Sequence, residues 1–228
     1  MPHRNFLSKA LERVFSNRLQ KCRRGATAVE FAVLLPVIMG VGMGGIELAW
    51  IYVCNLQVNA LALAVSDNAS RMEQTNNTSV TPTVTTNDIE NVMKGALLEG
   101  AGINVQQKGK VILSSLERDP SSGKQYIHWQ RCAGNLTAAS AFGNQSDRNG
   151  LTGTPIVGMG SGATKVTAAA GSAVMFVEVV YRYEGMFGNL FTGPITMRSE
   201  GAYMIRDIRN LGTAGSNPIT GTGTGWAC

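Results

Sequence analysis

The sequence predicts an α+β protein: a long N-terminal apolar helix, then a small head with a second helix and an antiparallel sheet of about four strands. Three observations predict it. Residues 31–53 form a 23-residue apolar run whose one charge is Glu47. A cationic block immediately precedes that run. Far along the chain, Met175, Val177, Val179, Tyr181 and Tyr183 alternate with a face bearing Glu178, Arg182 and Glu184, the pattern of a strand.

The chain has 228 residues and a net charge of +5, with 15% charged and 44% hydrophobic side chains. That charge content is below the roughly 25% of ordinary soluble domains and argues against a charged disordered chain. The +5 is not spread evenly. Residues 1–24 hold seven basic side chains (Arg4, Lys9, Arg13, Arg18, Lys21, Arg23, Arg24) against Glu12 alone, a balance of +6, and the rest of the chain sums to −1. Nucleic-acid binding would need the cations on a folded face. These sit in one block before the most apolar segment, so no nucleic-acid partner is expected.

Taken in order, the first element is the leader. Phe6, Leu7, Ala10, Leu11, Val14, Phe15, Leu19 and Cys22 recur at helical spacing among the cations, which suits an amphipathic helix on the inner membrane surface. The run 31–53 follows. As a helix it is about 34 Å long, enough for a hydrocarbon core of about 30 Å. A secretory signal would have a shorter apolar region with a small-residue cleavage site. A buried core helix fits poorly with sixteen uncharged residues in a row, 31–46. The residues after Arg23-Arg24 do not supply a twin-arginine context. Cations collect on the cytoplasmic side, so residues 1–24 are expected inside and Cys54 onward outside. Within the span, Gly40 to Gly45 formally matches G-x-G-x-x-G, but no strand precedes it. Gly40 and Gly44 also form G-x-x-x-G, which lets helices pack closely in lipid, and this is the better reading. Pro36 removes a backbone donor and is expected to kink or loosen the helix.

Residues 55–72 stay helix-compatible, with Leu56, Asn59, Ala60 and Leu63 on the expected packing side. Residues 74–87 read as a loop containing Pro82. Asn87 and Glu90 resemble a capping box, and Ile89, Val92, Met93, Ala96 and Leu97 share one face of a second helix that Gly100 and Gly102 end. Val111 to Leu113 begin a strand, Asp119 to Gly123 make a turn, and residues 125–132 return as a second strand. Residues 133–171 carry eight glycines and three charges, Asp147, Arg148 and Lys165. Such length without periodicity predicts a flexible or functional loop. After the strand through Met175–Tyr183 comes another at 195–206, with Thr196, Arg198 and Glu200 on one face and an irregularity expected at Gly201. The tail, 212–225, is rich in Gly and Thr and reads as mobile up to Trp226.

The junction between block and span carries the chemistry. It reads Lys21-Cys22-Arg23-Arg24-Gly25-Ala26-Thr27-Ala28-Val29-Glu30-Phe31. Basic residues, a glycine, four small or apolar residues, a glutamate and an aromatic, then an apolar helix, resemble the processing site of type IV prepilins and more closely that of the Flp/Tad pilus system. AVEFAVLLPV, a glycine-rich stretch and IELAWIY look like the N-terminal region of TadE-like minor pilins (pseudopilins). AVMFVEVVYRYE and GPITMRSEGAYMIRD resemble the distal strands of that family. The resemblance covers about residues 21–70 and 172–209 and leaves 71–171 unmatched. It departs from the family in its 25-residue leader and in Phe31, where the major Flp pilins usually have Tyr.

The resemblance implies a prepilin peptidase cutting between Gly25 and Ala26, with Glu30 then fifth in the mature chain and able to pair with a neighbouring subunit's Ala26 ammonium. It implies a single-pass protein of the bacterial inner membrane with a periplasmic head, and as partners membrane lipid, the prepilin peptidase, other pilins and the pilus assembly platform. The implied regions are a leader 1–25, a helix 26–72 with its span at 31–53, a head 73–211 and a tail 212–228. The alternatives are a TadF-like or tip pilin, or an uncleaved membrane-anchored binding protein or adhesin.

Four cysteines are too few for a disulfide-dense miniprotein. Cys22 leaves with the leader if it is cut. In an oxidising periplasm Cys132–Cys228 is the preferred disulfide because it would tie down the tail; free thiols, or a Cys54 bridge between subunits, are the alternatives. No metal-ligand spacing, nucleophile elbow or C-x-x-C occurs, so no enzyme, cofactor, metal or small-molecule substrate is expected. His3 and His128 leave little room for a histidine metal site. His128, alternating with Tyr126 and Gln130, reads as a packed or surface residue. Asp88/Glu90 and Glu117/Asp119 read as a helix start and a turn. Trp129 and Trp226 fit either a core or a sticky surface.

Overall fold

The computed structural model describes residues 23–72, 81–146, 148–206, 208–222 and 226–228, with side chains from Gly25 onward. The predicted amphipathic leader helix and Cys22 lie outside the described residues. The chain divides into two units, Met1–Ala49 and Trp50–Cys228.

Helix α1 is Arg23–Ser70 and continues through Pro36. In the first unit its side chains are almost all exposed, Val29, Phe31, Val33, Val37, Ile38 and Val41 among them, while Glu47 is buried. Among the described residues α1 is the one helix long and apolar enough to cross a membrane.

In the second unit α1 buries Cys54, Val58, Leu61, Ala62, Val65 and Ala69. The spacing of three to four places one stripe of the helix on the core. This corrects the predicted packing side: Leu56, Asn59, Ala60 and Leu63 are exposed. Apolar residues stand on both sides of the helix here, Leu56, Ala60 and Leu63 on one and Val58, Leu61 and Val65 on the other, so periodicity supports both stripes. Backbone approach decides between them, because a Cβ on Gly201 would collide with the Ala62 carbonyl and the Ser66 hydroxyl.

Helix α2 is Thr86–Glu99 and buries Ile89, Met93 and Ala96. Its capping box lies two residues before the predicted Asn87/Glu90 pair. Thr85 is the N-cap, its hydroxyl accepts from the Asp88 N–H, and the Asp88 carboxylate accepts from the Thr85 N–H at 2.8 Å. Gly100 caps the end, and a 3-10 turn, Gly100–Ile103, leads to the single helical turn α3, Val105–Lys108.

Four strands follow: β1 (Gly109–Arg118), β2 (Gln125–Ala133), β3 (Ala173–Tyr183) and β4 (Ile195–Met204). They form one antiparallel sheet in the order β2-β1-β3-β4. Helices α1 and α2 lie over one face, where Val111, Leu113, Trp129, Met175, Val177, Val179, Tyr181 and Tyr183 complete the core. Trp226 packs against the same core. The irregularity expected at Gly201 is absent, for the β3–β4 register runs through it unbroken.

The second face is also buried. The segment between β2 and β3 lays Phe142, Ile156, Met159, Val166 and Ala168 over Leu116, Ile127, Val174 and Phe176. The face of β3 predicted to be polar therefore faces a cover: Glu178 is fully buried. The tail also makes defined contacts. The Cys132 N–H donates to the Trp226 carbonyl at 2.6 Å, and Thr86 N–H to the Thr220 carbonyl at 2.9 Å.

Candidate processing and assembly segment

The predicted scissile bond, Gly25–Ala26, lies in the first turn of α1, and nothing stands within 4 Å of where a Gly25 Cβ would be. Glu30 and Phe31 are exposed one turn further on. Gly40 and Gly44 sit one turn apart on α1, and Gly40 has the same open surroundings. An exposed apolar surface of this length is costly in water and needs lipid or other apolar helices around it.

Cys132 and Cys228 are bonded to each other, with Cα atoms 5.0 Å apart, and Cys54 is buried and free.

Three polar clusters in the second unit were not foreseen. The first is built by a bulge. The β1–β2 register shifts between Ser115 and Leu116, so Trp129 pairs with Ser115, Ile127 pairs with Leu116, and His128 is the extra residue. The bulge breaks the predicted alternation of His128 with Gln130. Gln130 bonds the Ser114 hydroxyl at 2.9 Å, whereas His128 and Tyr126 both converge on Glu117. The Glu117 carboxylate accepts from the Ser115 hydroxyl at 2.8 Å and the Tyr126 hydroxyl at 3.1 Å, and meets His128 Nδ1 at 2.8 Å. His128 Nε2 meets the Ser216 carbonyl at 2.7 Å.

Both partners of the imidazole are acceptors, so the doubly protonated ring satisfies them best. Burial lowers the His128 pKa, but the Glu117 hydrogen bond and charge, with the Ser216 and Thr213 carbonyls, more than offset it, and the net shift is upward. Burial, then Glu117, also pushes the Tyr126 hydroxyl above its ordinary value. This cluster does not make a catalytic dyad. Ser115 bonds Glu117 rather than His128, and the second ring nitrogen is held by the tail.

The second cluster surrounds Glu178. Its carboxylate accepts from the Ser140 hydroxyl, the Ala141 N–H (3.0 Å) and the Arg198 guanidinium, and Arg198 also donates to the Ala139 carbonyl at 3.0 Å. A carboxylate buried in a sheet needs such partners, and here they pin the cover segment to β3 and β4. The third cluster closes the end of α1. Arg209 donates to the Ser70 and Met72 carbonyls at 3.1 and 2.6 Å, and Arg206 donates to Asp67 at 2.6 Å. Carbonyls at a helix C-terminus lack intrahelical partners and attract cations.

Among the described residues, one exposed apolar helix leads into a closed α+β unit, which suits the class of helix-anchored membrane proteins. Within that class the N-terminal segment is TadE-like, for residues 25–66 match the family model of TadE-like proteins. The match lies within α1, from Gly25 to Ser66, and a TadE-like segment of this kind points to the Tad pilus system. No curated protein and no solved structure matches the chain.

Proposed function

We propose that the chain is a minor pilin (pseudopilin) of the Tad pilus system, cut by a prepilin peptidase between Gly25 and Ala26, that helps assemble or stabilise a pilus for surface adherence. The observation that carries this reading is the exposed apolar surface of α1 joined to a TadE-like match that starts at Gly25. Hydrolysis of the Gly25–Ala26 bond leaves a carboxylate on the leader and an ammonium on Ala26. Losing the leader removes six net positive charges from the inner side of the helix. The helix can then leave the bilayer and pack against other pilins, and the Ala26 ammonium can pair with a neighbouring subunit's Glu30, offsetting the desolvation of both. Gly40 and Gly44 admit a close neighbour on that helix.

Intact-mass and N-terminal analysis of protein extracted from cells that contain the peptidase is the direct test. The expected mature chain begins at Ala26, and Gly25→Leu abolishes cutting by crowding the protease cleft. A wild-type chain that still begins before Ala26 would instead support the uncleaved anchored binding protein.

A further inference from the structure

The second core does not fill the covered face of the sheet. Lys110, Ile112 and Ser114 share that face of β1 with Leu116, because side chains alternate along a strand. On β2, Cys132 stands opposite Ile112 and Gln130 opposite Ser114. Leu116 lies under the cover segment, but Ile112 belongs to neither core. Ile112 instead lines a cleft of about 340 Å³, bounded by residues 138–140 and 143–146 of the cover segment, by Ala227 and by the Cys132–Cys228 bond. That volume falls at the lower end of ordinary small-ligand pockets, about 300 to 1,000 Å³. Every residue of the cleft lies in the second unit.

Its polar groups are held in place but incompletely bonded. Gln130 is 3% exposed. Its amide nitrogen donates to the Ser114 hydroxyl at 2.9 Å and the Gly143 carbonyl at 3.3 Å, and its Oε1 accepts from no described residue. Gln145 is the reverse. Its Oε1 accepts from the Gln130 N–H at 2.8 Å and from Arg131 at 3.0 Å, which fixes the amide and leaves its Nε2 hydrogens without an acceptor among the described residues. Two cations line the same cleft, Lys110 and Arg148. The Lys110 ammonium makes no hydrogen bond or ion pair to a described residue, and the Arg148 guanidinium makes one long bond, to the Ser140 carbonyl at 3.5 Å. Glu178, which pairs with Ile112 across β1 and β3, gives its oxygens to Ser140, Ala141 and Arg198. That carboxylate is therefore engaged elsewhere.

We propose that this cleft binds a hydroxylated carboxylic acid of the size of one sugar ring, a uronate unit of an acidic saccharide. Lys110 and Arg148 call for an anion, and charge-assisted bonds to a carboxylate are stronger than neutral ones. The Gln130 Oε1 calls for a donor, which a ligand hydroxyl supplies and a bare carboxylate lacks. The Gln145 amide donates to a further ligand oxygen. Ile112 and the disulfide offer an apolar surface to the C–H face of the ring. One amide that accepts and one that donates, set between two cations, match the hydroxyls and carboxylate of a uronate. The inference concerns the second unit alone and does not rest on cutting at Gly25.

The test is a ligand-observed NMR titration of the full-length, detergent-solubilised chain, disulfide closed, with D-glucuronate, D-galacturonate, their methyl esters and acetate. At least one uronate is expected to bind with a Kd on the order of 1 mM or below. Its methyl ester keeps the hydroxyls and loses the charge, and acetate keeps the charge and lacks the hydroxyls. Both are expected to bind about tenfold more weakly or worse. Lys110→Gln and Arg148→Gln should each weaken the uronate about tenfold or more, while Lys110→Arg retains most of the binding. Lys94→Gln, on α2 and outside the cleft, should leave it unchanged. Binding of neither uronate at about 10 mM overturns the inference. Equal binding of the ester removes the role of the cations, and equal binding of acetate reduces the cleft to a simple anion site; either overturns the uronate assignment. A loss in Lys94→Gln equal to that in Lys110→Gln would assign the binding to diffuse charge and overturn the cleft as its place.

Discussion

His128 shows how one extra residue in a strand can set a chemical environment. Without the bulge at Ser115/Leu116, β2 would alternate strictly and His128 would share a face with Gln130. With it, the imidazole reaches Glu117 on one side and the Ser216 carbonyl on the other. The sequence showed a histidine in a strand and a nearby acid. It did not show the bulge, which depends on two strands finding their register and has no marker in the local residues. Because the folded-state pKa of His128 is raised, its contribution to stability is present in full below about 6.5, the ordinary histidine value, and is lost as pH rises through the raised value. Denaturant titrations of the detergent-solubilised chain across that window are expected to show stability falling with rising pH. Glu117→Gln removes the charge that favours the imidazolium, so it should move the titration to lower pH and flatten the slope. A slope unchanged in that variant would exclude the Glu117–His128 pair as its source. Asp119 acts at the opposite edge. Hydrogen bonds from the Ser122 and Ser121 hydroxyls, then from their N–H groups, hold its carboxyl at about 2, so its contribution is present above about 4 and is lost as pH falls toward 2.

Among the elements, helices and hairpins were legible where a local signal exists. The turn around Asp119 to Gly123 closes as its residues predict, with the Gly123 N–H donating to the Asp119 carbonyl at 2.8 Å. Helix α2 was legible in its apolar face, but two overlapping cap signals competed at its start. Thr85 prevails because its extended backbone also accommodates the bridge to Thr220. Removing the cap hydroxyl by Thr85→Ala is expected to cost about 1 kcal/mol, up to about 2, read by urea unfolding. Asn87→Ala should cost well under half of that, and the reverse order would restore the cap first read from the sequence. The cover segment was hidden for a different reason. Its buried side chains, Phe142, Ile156, Met159, Val166 and Ala168, are scattered with no period, so no pattern of 2 or 3.6 marks them. The only sequence sign was Glu178 on the most apolar strand, where a carboxylate demands covering partners.

For the whole molecule, the α+β class was legible because an uninterrupted apolar run and a strongly alternating strand leave few architectures open. The match at residues 25–66 agrees with the resemblance over α1. The asymmetry of charge, +6 in the first 24 residues and −1 in the rest, makes orientation and oxidation one linked property. If the leader cations hold the N-terminus in the cytoplasm, the head is delivered to a compartment where thiols oxidise. A closed Cys132–Cys228 bond in cells would then report that delivery; the bond spans a sequence separation of 96 residues. A chain-entropy account gives such a long loop about 4 to 5 kcal/mol of stabilisation. Replacing Arg4, Lys9, Arg13 and Arg18 by Gln leaves Lys21 to Phe31 intact but removes more than half of the leader's basic residues. The expected outcome is a fraction of chains with the head retained inside. In that fraction Cys132 and Cys228 would react with an alkylating reagent added to lysed cells without reductant, while the wild-type chain keeps both blocked. Protease added to intact spheroplasts should spare the same fraction. Full blocking of both cysteines and full digestion in the neutralised variant would mean that the cations do not set the orientation, and the charge asymmetry would then need another explanation.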